Sequence, residues 1–361
     1  MVTKLGAKDG LCVHADKVIR GLAQRGHLLH VFTQSKSRCS LRVNGIHRFR
    51  AFQLNPHFSV DAIDAPRTIA RVCQDEQIDV LHVQMNSGTT EFLLPLFKAR
   101  LPPLVVTYHL AYSSDGSSMK SIFDILSEFS ILASKRYDAI ILVHPFQKTV
   151  FSGKQIPEEK IHVVPNGVDT DVFKPRQREE DGFVNFIDVG RLSYDKGVHM
   201  TIQAFRKYHK ENPRTRLMLV GDGMLKSMLH DRRNSDSIYW YGGVEHDRVA
   251  RFLQEADIFV IPMAIGPITS SLSVLEAMSC GLPIIATDIA DAGRLIRPHE
   301  GILTQPGRLD EIVDAMRLLA EDETLRKSMG QACRERVVRD YSWNRQIEQT
   351  ERVYMSLLGS S

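Results

Sequence analysis

The stretch VNFIDVGRLSYDKG occupies residues 184–197. Its first six residues are mostly apolar, a pattern typical of a strand buried on both faces of a parallel sheet. Gly190 follows as a turn residue, and a helical pattern starts near Gly197. A strand, a glycine turn and a helix in this order form the repeating unit of a doubly wound α/β fold.

The same alternation extends over the whole chain. We predict strands at 30–33, 80–83, 104–108, 139–143, 161–164, 184–189, 216–220, 258–262 and 283–287. We predict helices that include 15–25, 65–76, 120–135, 197–209, 248–254 and 309–319. A strand is also expected before the first helix, where only residues 1–3 are left to form it. Either that strand is short, or the chain starts late and the N-terminal domain is less stable.

The strand–helix series occurs twice, separated by the polar segment RQREEDG at 176–182. We therefore predict two doubly wound Rossmann-like domains that face each other across a cleft, a natural place for a two-part substrate. The first domain would comprise residues 1–170 and the second residues 171–340. Residues 341–361 are predicted to form a terminal helix that crosses back to the first domain, with Trp343 as its anchor.

Composition limits the class of protein and its partners. The 361 residues are 43% hydrophobic and 25% charged, which is typical of a globular protein. Residues 1–175 contain 21 Lys and Arg against 16 Asp and Glu, so an acidic acceptor or an anionic membrane surface would suit this half. Lys and Arg do not cluster with aromatic residues, which argues against nucleic acid.

The apolar runs and the cysteines indicate the compartment. No apolar run is long enough to cross a bilayer, and the first residues lack the apolar core of a secretion signal. Five scattered cysteines without metal-ligand spacing favour reduced thiols. We expect a cytoplasmic protein, with peripheral contact at the inner membrane face kept open.

Two cations in the 184–197 stretch form the first candidate site. Arg191 and Lys196 fall at the carboxyl end of a predicted strand, beside Gly190 and the amides of a helix N-terminus. Cations and free backbone N–H groups suit a diphosphate. A surface turn with two solvated cations is the competing interpretation.

A second candidate is Glu276, in a predicted helix that follows the polar loop 266–271. Amides at this helix start can hold phosphate, and Glu276 can accept hydrogen bonds from a ribose diol. A third is His109, at a strand end in the first domain. His82 is interpreted as a core residue.

Together these motifs resemble the family 4 glycosyltransferases. The resemblance rests on VPNGVD at 164–169, VGRL at 189–192 with Lys196-Gly197, LVGDG at 219–223, ADIFVIP at 256–262, LEAM at 275–278 with Gly281-Leu282-Pro283, and Tyr341-Ser342-Trp343. It spans essentially the whole chain and is most specific in the second half.

The resemblance implies a GT-B fold and a retaining transfer of sugar from a nucleotide-sugar donor. It also implies that residues 1–170 bind the acceptor and residues 171–340 the nucleotide sugar. Arg191 and Lys196 match the pair that binds the donor diphosphate, Glu276 the glutamate that holds the ribose, and His109 the histidine beside the donor sugar. Gly10 matches a glycine loop near the phosphates. The donor site also includes Gly190, Thr269, Ser270, Ser271 and Leu272.

The implied reaction needs no metal and no cofactor, since cations neutralise the departing phosphate. In the family's usual account, that phosphate helps to remove the acceptor proton. The donor is expected to be a UDP-sugar or, second, a GDP-sugar. The acceptor is expected to be a glycan, a lipid-linked sugar or a small molecule.

One position departs from the family pattern. The family commonly has a glutamate seven residues before the one matched by Glu276, and this chain has Ile268 there, with Ser271 in place of a glycine. Ile268 cannot accept a hydrogen bond, so the donor sugar is either held by other groups or is a different sugar. The hydroxyls and amides of Thr269, Ser270 and Ser271 can substitute for the missing carboxylate. The departure keeps alternatives open: a degenerate nucleotide-sugar-binding partner protein, or an epimerase or phosphorylase on the same scaffold.

Overall fold

The computed structural model describes residues 1–3, 10–34, 42–53, 59–85, 88–109, 122–145, 147–179, 181–225, 237–264, 272–289 and 292–359. The chain divides into two compact units. Unit 1 comprises Met1–Asn166 together with Trp343–Ser361, and unit 2 comprises Gly167–Ser342.

Unit 1 alternates strands and helices. Its elements are α1 (Gly10–Gln24), β1 (His30–Gln34), β2 (Gly45–Phe49), β3 (Ala51–Gln53), β4 (Ser59–Asp61), α2 (Ala65–Asp75), β5 (Leu81–Gln84), α3 (Thr90–Leu93), β6 (Leu104–Tyr108), α4 (Ile122–Ser134), β7 (Ala139–Leu142), α5 (Gln147–Gly153) and β8 (Ile161–Val163). Short 3₁₀ turns occupy Leu94–Arg100 and Glu158–Lys160.

Val2 joins two groups of parallel strands in unit 1. Strands β2 and β1 lie on one side of it, and β5, β6, β7 and β8 follow in order on the other. The amide of Val2 donates to the carbonyl of His82 at 2.8 Å, and the amide of Thr3 donates to Phe32 at 3.0 Å. Residues 1–3 therefore occupy the place of a first strand, where the strand order reverses.

Unit 2 has one parallel sheet of six strands. Its elements are β9 (Val184–Val189), α6 (Val198–His209), β10 (Thr215–Val220), β11 (Ile238–Gly242), α7 (His246–Gln254), β12 (Ile258–Ile261), α8 (Leu272–Ser279), β13 (Ile284–Thr287), α9 (Ala292–Leu295), β14 (Gly301–Thr304), α10 (Leu309–Glu321) and α11 (Glu323–Asp340). The spatial order is β11-β10-β9-β12-β13-β14, which is the order of a Rossmann sheet. The predicted α/β fold class is confirmed.

The terminal helix α12 (Trp343–Leu358) belongs to unit 1 and packs on α1. Trp343 and Ile347 are buried in one apolar cluster with Ile19 of α1. The helices approach so closely that a Cβ on Gly21 would lie 1.9 Å from Cδ1 of Ile347. Glycine at this position therefore permits the contact.

All nine predicted strands occur, with ends that shift by one residue at most. The prediction did not include β2, β11, β14 or the β3–β4 hairpin, nor helices α3, α5, α9 and α11. No helix in the ranges given above is long and apolar enough to span a membrane.

Candidate functional site

The loops after β9 and β12 meet in unit 2. These strands are sheet neighbours, yet the chain leaves them toward opposite edges of the sheet. Gly197 ends the first loop with φ +74°, and a Cβ there would lie 1.8 Å from the carbonyl oxygen of Pro262. The amide of Ala264 donates to the carbonyl of Asp195 at 3.0 Å. This is the switch point at which doubly wound sheets bind ligands.

Arg191 and Lys196 lie in the first of these loops. The Arg191 side chain is 63% exposed, and its Nη2 donates to Oδ2 of Asp195 at 3.2 Å. The Lys196 ammonium lies 3.9 Å from Sδ of Met263, in the second loop. Burial lowers the pKa of Lys196, and Arg191 lowers it further, although the Asp195 and Asp188 carboxylates oppose this. The two predicted cations therefore lie in one loop at the switch point.

Asp188 lies near the end of β9, within the 184–197 stretch, and was not predicted as a site residue. It is buried, and Oγ1 of Thr201 donates to its Oδ2 at 2.9 Å. Burial raises the pKa of Asp188 to about 7, although the Thr201 hydrogen bond and the Lys196 charge act in the opposite direction. A carboxyl group near the end of a mostly apolar strand was the signal that could have identified it.

The turns after β9 and β10 contact each other through their backbones. Gly190 has φ +154° and Gly221 has φ +146°. A Cβ on Gly221 would lie 1.8 Å from the carbonyl oxygen of Gly190. The amides of Gly190 and Gly221 donate to the carbonyls of Val220 and Gly242, at 3.0 and 2.8 Å, so the close approach of the two turns depends on glycine at position 221.

Glu276 of α8 is buried, with 4% of its surface exposed. Its Oε1 lies 2.6 Å from Nε2 of His246, the first residue of α7. The His246 side chain is 44% exposed, and its ring lies 5.6 Å from that of Phe173. Sequence reasoning missed His246, because a single histidine at a helix start carries no local signal.

His109 lies directly after β6 in unit 1. Its Nε2 is 2.5 Å from Oε1 of Gln84, and its ring meets that of His14 edge-on at 4.7 Å. Burial lowers the pKa of His109 well below its usual range, and neighbouring histidines lower it further. His109 is therefore neutral near pH 7. His82 is buried, as the sequence indicated.

Two of the remaining predicted donor-site residues lie at helix starts. Gly10 is the first residue of α1, and Leu272 is the half-buried first residue of α8. Thr269, Ser270 and Ser271 lie outside the described residues, and so does Ile268. Among the residues that the structure describes, no group of three His, Cys, Asp or Glu is placed to hold a metal ion.

Two family models together match residues 8–336. The model described as Glycosyltransferase Family 4 matches residues 8–172, and the one described as Glycosyl transferases group 1 matches residues 169–336. The chain belongs to the family 4 glycosyltransferases. The boundary between the two matches falls near the division between units 1 and 2.

Two relatives illustrate the range of this family. A glycogen synthase of Mycobacterium tuberculosis is 27% identical over 203 residues, which is 55% of this chain and 49% of that protein. The chain thus matches about half the length of that relative. An N-acetyl-alpha-D-glucosaminyl L-malate synthase of Bacillus anthracis is 25% identical over 93% of this chain and 91% of its own length.

The fold of this family 4 member matches that of solved glycosyltransferases. Anabaena HepE in complex with UDP has a TM-score of 0.76 at 16% identity, covering 98% of this chain and 99% of HepE. At this level of identity the match shows the fold alone.

Proposed function

We propose that the chain transfers a hexose or an N-acetylhexosamine from a UDP-sugar to an acceptor hydroxyl, with retention at the anomeric carbon. One observation carries the proposal: Arg191 and Lys196 lie in one loop at the switch point of a parallel sheet. Cations and backbone amides at that place suit a diphosphate. Glu276, in the helix that follows β12, supplies a carboxylate for the ribose hydroxyls.

The proposed chemistry breaks the bond between the anomeric carbon and a phosphate oxygen of the donor. The bonding electrons leave with the nucleoside diphosphate, whose added negative charge Arg191 and Lys196 stabilise. The acceptor hydroxyl attacks the same face of the sugar, and its proton passes to the leaving phosphate. Because two cations supply the stabilising charge, we propose that the reaction needs neither a metal ion nor a cofactor.

UDP is the preferred donor nucleotide in this proposal. Its support is the fold match to Anabaena HepE in complex with UDP. The buried Glu276 carboxylate is a hydrogen-bond acceptor, and a ribose diol offers two donors.

The proposed compartment is the cytoplasm, with an acceptor that is a glycan, a lipid-linked sugar or a small molecule. Cys73, Cys280 and Cys333 are free and buried, as expected in a reducing compartment. The positive excess of residues 1–175 suits an acidic acceptor or an anionic membrane surface. The protein should co-sediment with vesicles that contain anionic lipid at low salt. An equal fraction of protein sedimented with neutral vesicles would contradict a role for the positive excess in membrane contact.

The experiment is a donor panel with the purified full-length chain, read by mass spectrometry. Turnover of one UDP-sugar is expected, and Lys196→Ala should reduce it by at least about tenfold, the size of a lost charge-assisted hydrogen bond. The control is Lys207→Ala, an exposed lysine on α6. Wild-type turnover in the Lys196 variant would contradict the assigned site.

The same panel distinguishes the other functions that the sequence left open. A donor that binds without hydrolysis or transfer would favour a non-catalytic nucleotide-sugar-binding partner. A donor converted to its epimer without any acceptor would identify an epimerase. Consumption of phosphate and a sugar polymer without nucleotide would identify a phosphorylase.

A further inference from the structure

A chain of buried polar side chains in unit 1 ends at His109. The hydroxyl of Tyr354, in α12, lies 2.5 Å from Nδ1 of His82. Nε2 of His82 lies 2.7 Å from Oγ1 of Thr107 and 3.4 Å from Nε2 of Gln84. Oε1 of Gln84 lies 2.5 Å from Nε2 of His109. His82 and Gln84 are two residues apart on β5, so they share one face of the strand.

The orientation of the Gln84 amide follows from its neighbours. Its nitrogen lies 3.8 Å from Sδ of Met1. A thioether sulfur accepts a hydrogen bond and offers no proton, so the amide nitrogen rather than the oxygen belongs on this side. The oxygen therefore faces His109, where it needs a donor.

His82 and His109 each carry a single ring proton near pH 7. Burial lowers the pKa of both histidines well below the usual range. In a neutral imidazole one nitrogen donates and the other accepts. Nε2 of His82 receives hydrogen bonds from Gln84 and Thr107, so its proton lies on Nδ1 and is donated to Tyr354. In this arrangement each of these contacts pairs a donor with an acceptor.

We propose that Gln84 is a positioning residue that holds His109 as the Nε2–H tautomer and leaves Nδ1 of His109 bare. His109 then meets a substrate hydroxyl as a hydrogen-bond acceptor. This consequence rests on the proposed glycosyltransferase function, in which sugar hydroxyls are the hydrogen-bond donors that His109 would meet. The tautomer itself is a property of the free protein.

Nitrogen-15 NMR of the full chain, labelled at histidine, tests the tautomer directly. Two-bond nitrogen–proton correlations separate a bare ring nitrogen from a protonated one, and the His109→Gln spectrum assigns the signals of His109. We expect a bare Nδ1 and a protonated Nε2 in the wild type. A protonated Nδ1, or a doubly protonated ring at pH 7, would overturn the proposal.

Two substitutions at Gln84 separate positioning from folding. Gln84→Leu should give a mixture of tautomers and reduce turnover about fivefold, the size of one lost hydrogen bond. Gln84→Glu offers a carboxylate to the same N–H, so it should keep the wild-type tautomer even if Gln84→Leu folds poorly. Gln34→Leu, the same change at another buried glutamine of the sheet, should leave the His109 signals unchanged.

The outcomes distinguish this inference from the proposed function. A wild-type His109 pattern in Gln84→Leu would overturn the role of Gln84 whatever the enzyme does. The expected pattern in a protein that turns over no nucleotide sugar would leave the role of Gln84 intact and contradict the transferase.

Discussion

Nε2 of His246 lies 2.6 Å from Oε1 of Glu276. His246 is the first residue of α7, and Glu276 lies within the next helix of unit 2, α8. The glutamate is buried and the histidine is partly exposed, so the histidine covers the outer side of the carboxylate. One carboxylate oxygen is thereby engaged by the protein. Among the residues that the structure describes, Oε2 has no hydrogen-bond partner, so it is the oxygen that the proposed ribose contact would use, and His246 orients the carboxylate.

We expect His246→Ala to weaken UDP binding by about tenfold, because a buried carboxylate loses a charge-assisted partner. Isothermal titration calorimetry with UDP measures the change. His246→Gln, whose amide nitrogen can donate to the same oxygen, should restore part of the affinity.

The double variant shows whether His246 acts through Glu276. If it does, His246→Ala should not weaken UDP binding any further in a Glu276→Ala background. Fully additive losses would mean that His246 contacts the nucleotide independently of Glu276.

Asp188 gives unit 2 a dependence of stability on pH. Burial raises the pKa of Asp188 from 3.8 to about 7. Between these values the folded state binds more protons than the unfolded state, so the free energy of unfolding falls as pH rises from about 4 to about 7. Asp188→Asn should remove this fall, with a difference from the wild type of at most about 4 kcal/mol.

Urea unfolding at several pH values measures this difference. The chain has 2 tryptophans, and Trp240 lies in unit 2 while Trp343 lies in unit 1. In a Trp343→Phe background, fluorescence therefore reports unit 2. The control is Asp314→Asn, which replaces an exposed carboxylate; its free energy of unfolding should change with pH as that of the wild type does. A constant offset between Asp188→Asn and the wild type from pH 4 to pH 7 would contradict the prediction.

Two glycines with the same backbone conformation separate strain from steric clash. Gly197 has φ +74° and Gly182 has φ +77°. A Cβ on Gly182 would meet nothing within 4 Å, whereas a Cβ on Gly197 would lie 1.8 Å from Pro262. Alanine at either position costs about 1–2 kcal/mol of backbone strain. Gly197→Ala should cost about 1–3 kcal/mol more through overpacking.

The clash at Gly197 should also affect the ligand. It pushes apart the loops that contain Lys196 and Met263, so Gly197→Ala should weaken UDP binding in calorimetry while Gly182→Ala does not. Equal unfolding midpoints for the two variants would contradict the prediction, because they would show that the two loops separate without any loss of free energy of unfolding.

Sequence reasoning predicted the buried strands well and the edge strands poorly. Strand β9 is almost fully buried, and its apolar run was visible in VNFIDV. Strands β2, β11 and β14 lie at sheet edges, and each has half-buried positions. Strand β8 is also an edge strand with half-buried positions, and it is the edge strand of these parallel sheets that was predicted. One side of an edge strand is uncovered, so its sequence mixes polar and apolar residues and lacks the continuous signal of a central strand.

The residues of the candidate site show a similar contrast between those that the sequence predicted and those that it did not. Arg191 and Lys196 were found because their motif is local to one strand, turn and helix. The partners of Glu276 and His109 come from other elements: His246 is 30 residues from Glu276, and Gln84 is 25 residues from His109. Such pairs are brought together only by the strand order of the sheet, which the local pattern does not reveal.

Arg336 and Glu300 form a buried ion pair in unit 2. Nη1 of Arg336 lies 2.6 Å from Oε2 of Glu300, and the two side chains are 5% and 1% exposed. The same guanidinium donates to the carbonyls of Leu295 and Arg294. It therefore joins α11 to the segment that leads from α9 to β14.

We expect Arg336→Met to lower the free energy of unfolding of unit 2 by about 3–5 kcal/mol, because it leaves the Glu300 carboxylate buried without a counter-charge. The loss of the backbone hydrogen bonds acts in the same direction. Arg339→Met is the matched control, since Arg339 is 62% exposed in its pair with Asp340 and should cost no more than about 0.5 kcal/mol. Trp240 fluorescence in urea measures both variants. Similar midpoints for the two would mean that the Arg336–Glu300 pair contributes no more than a surface ion pair.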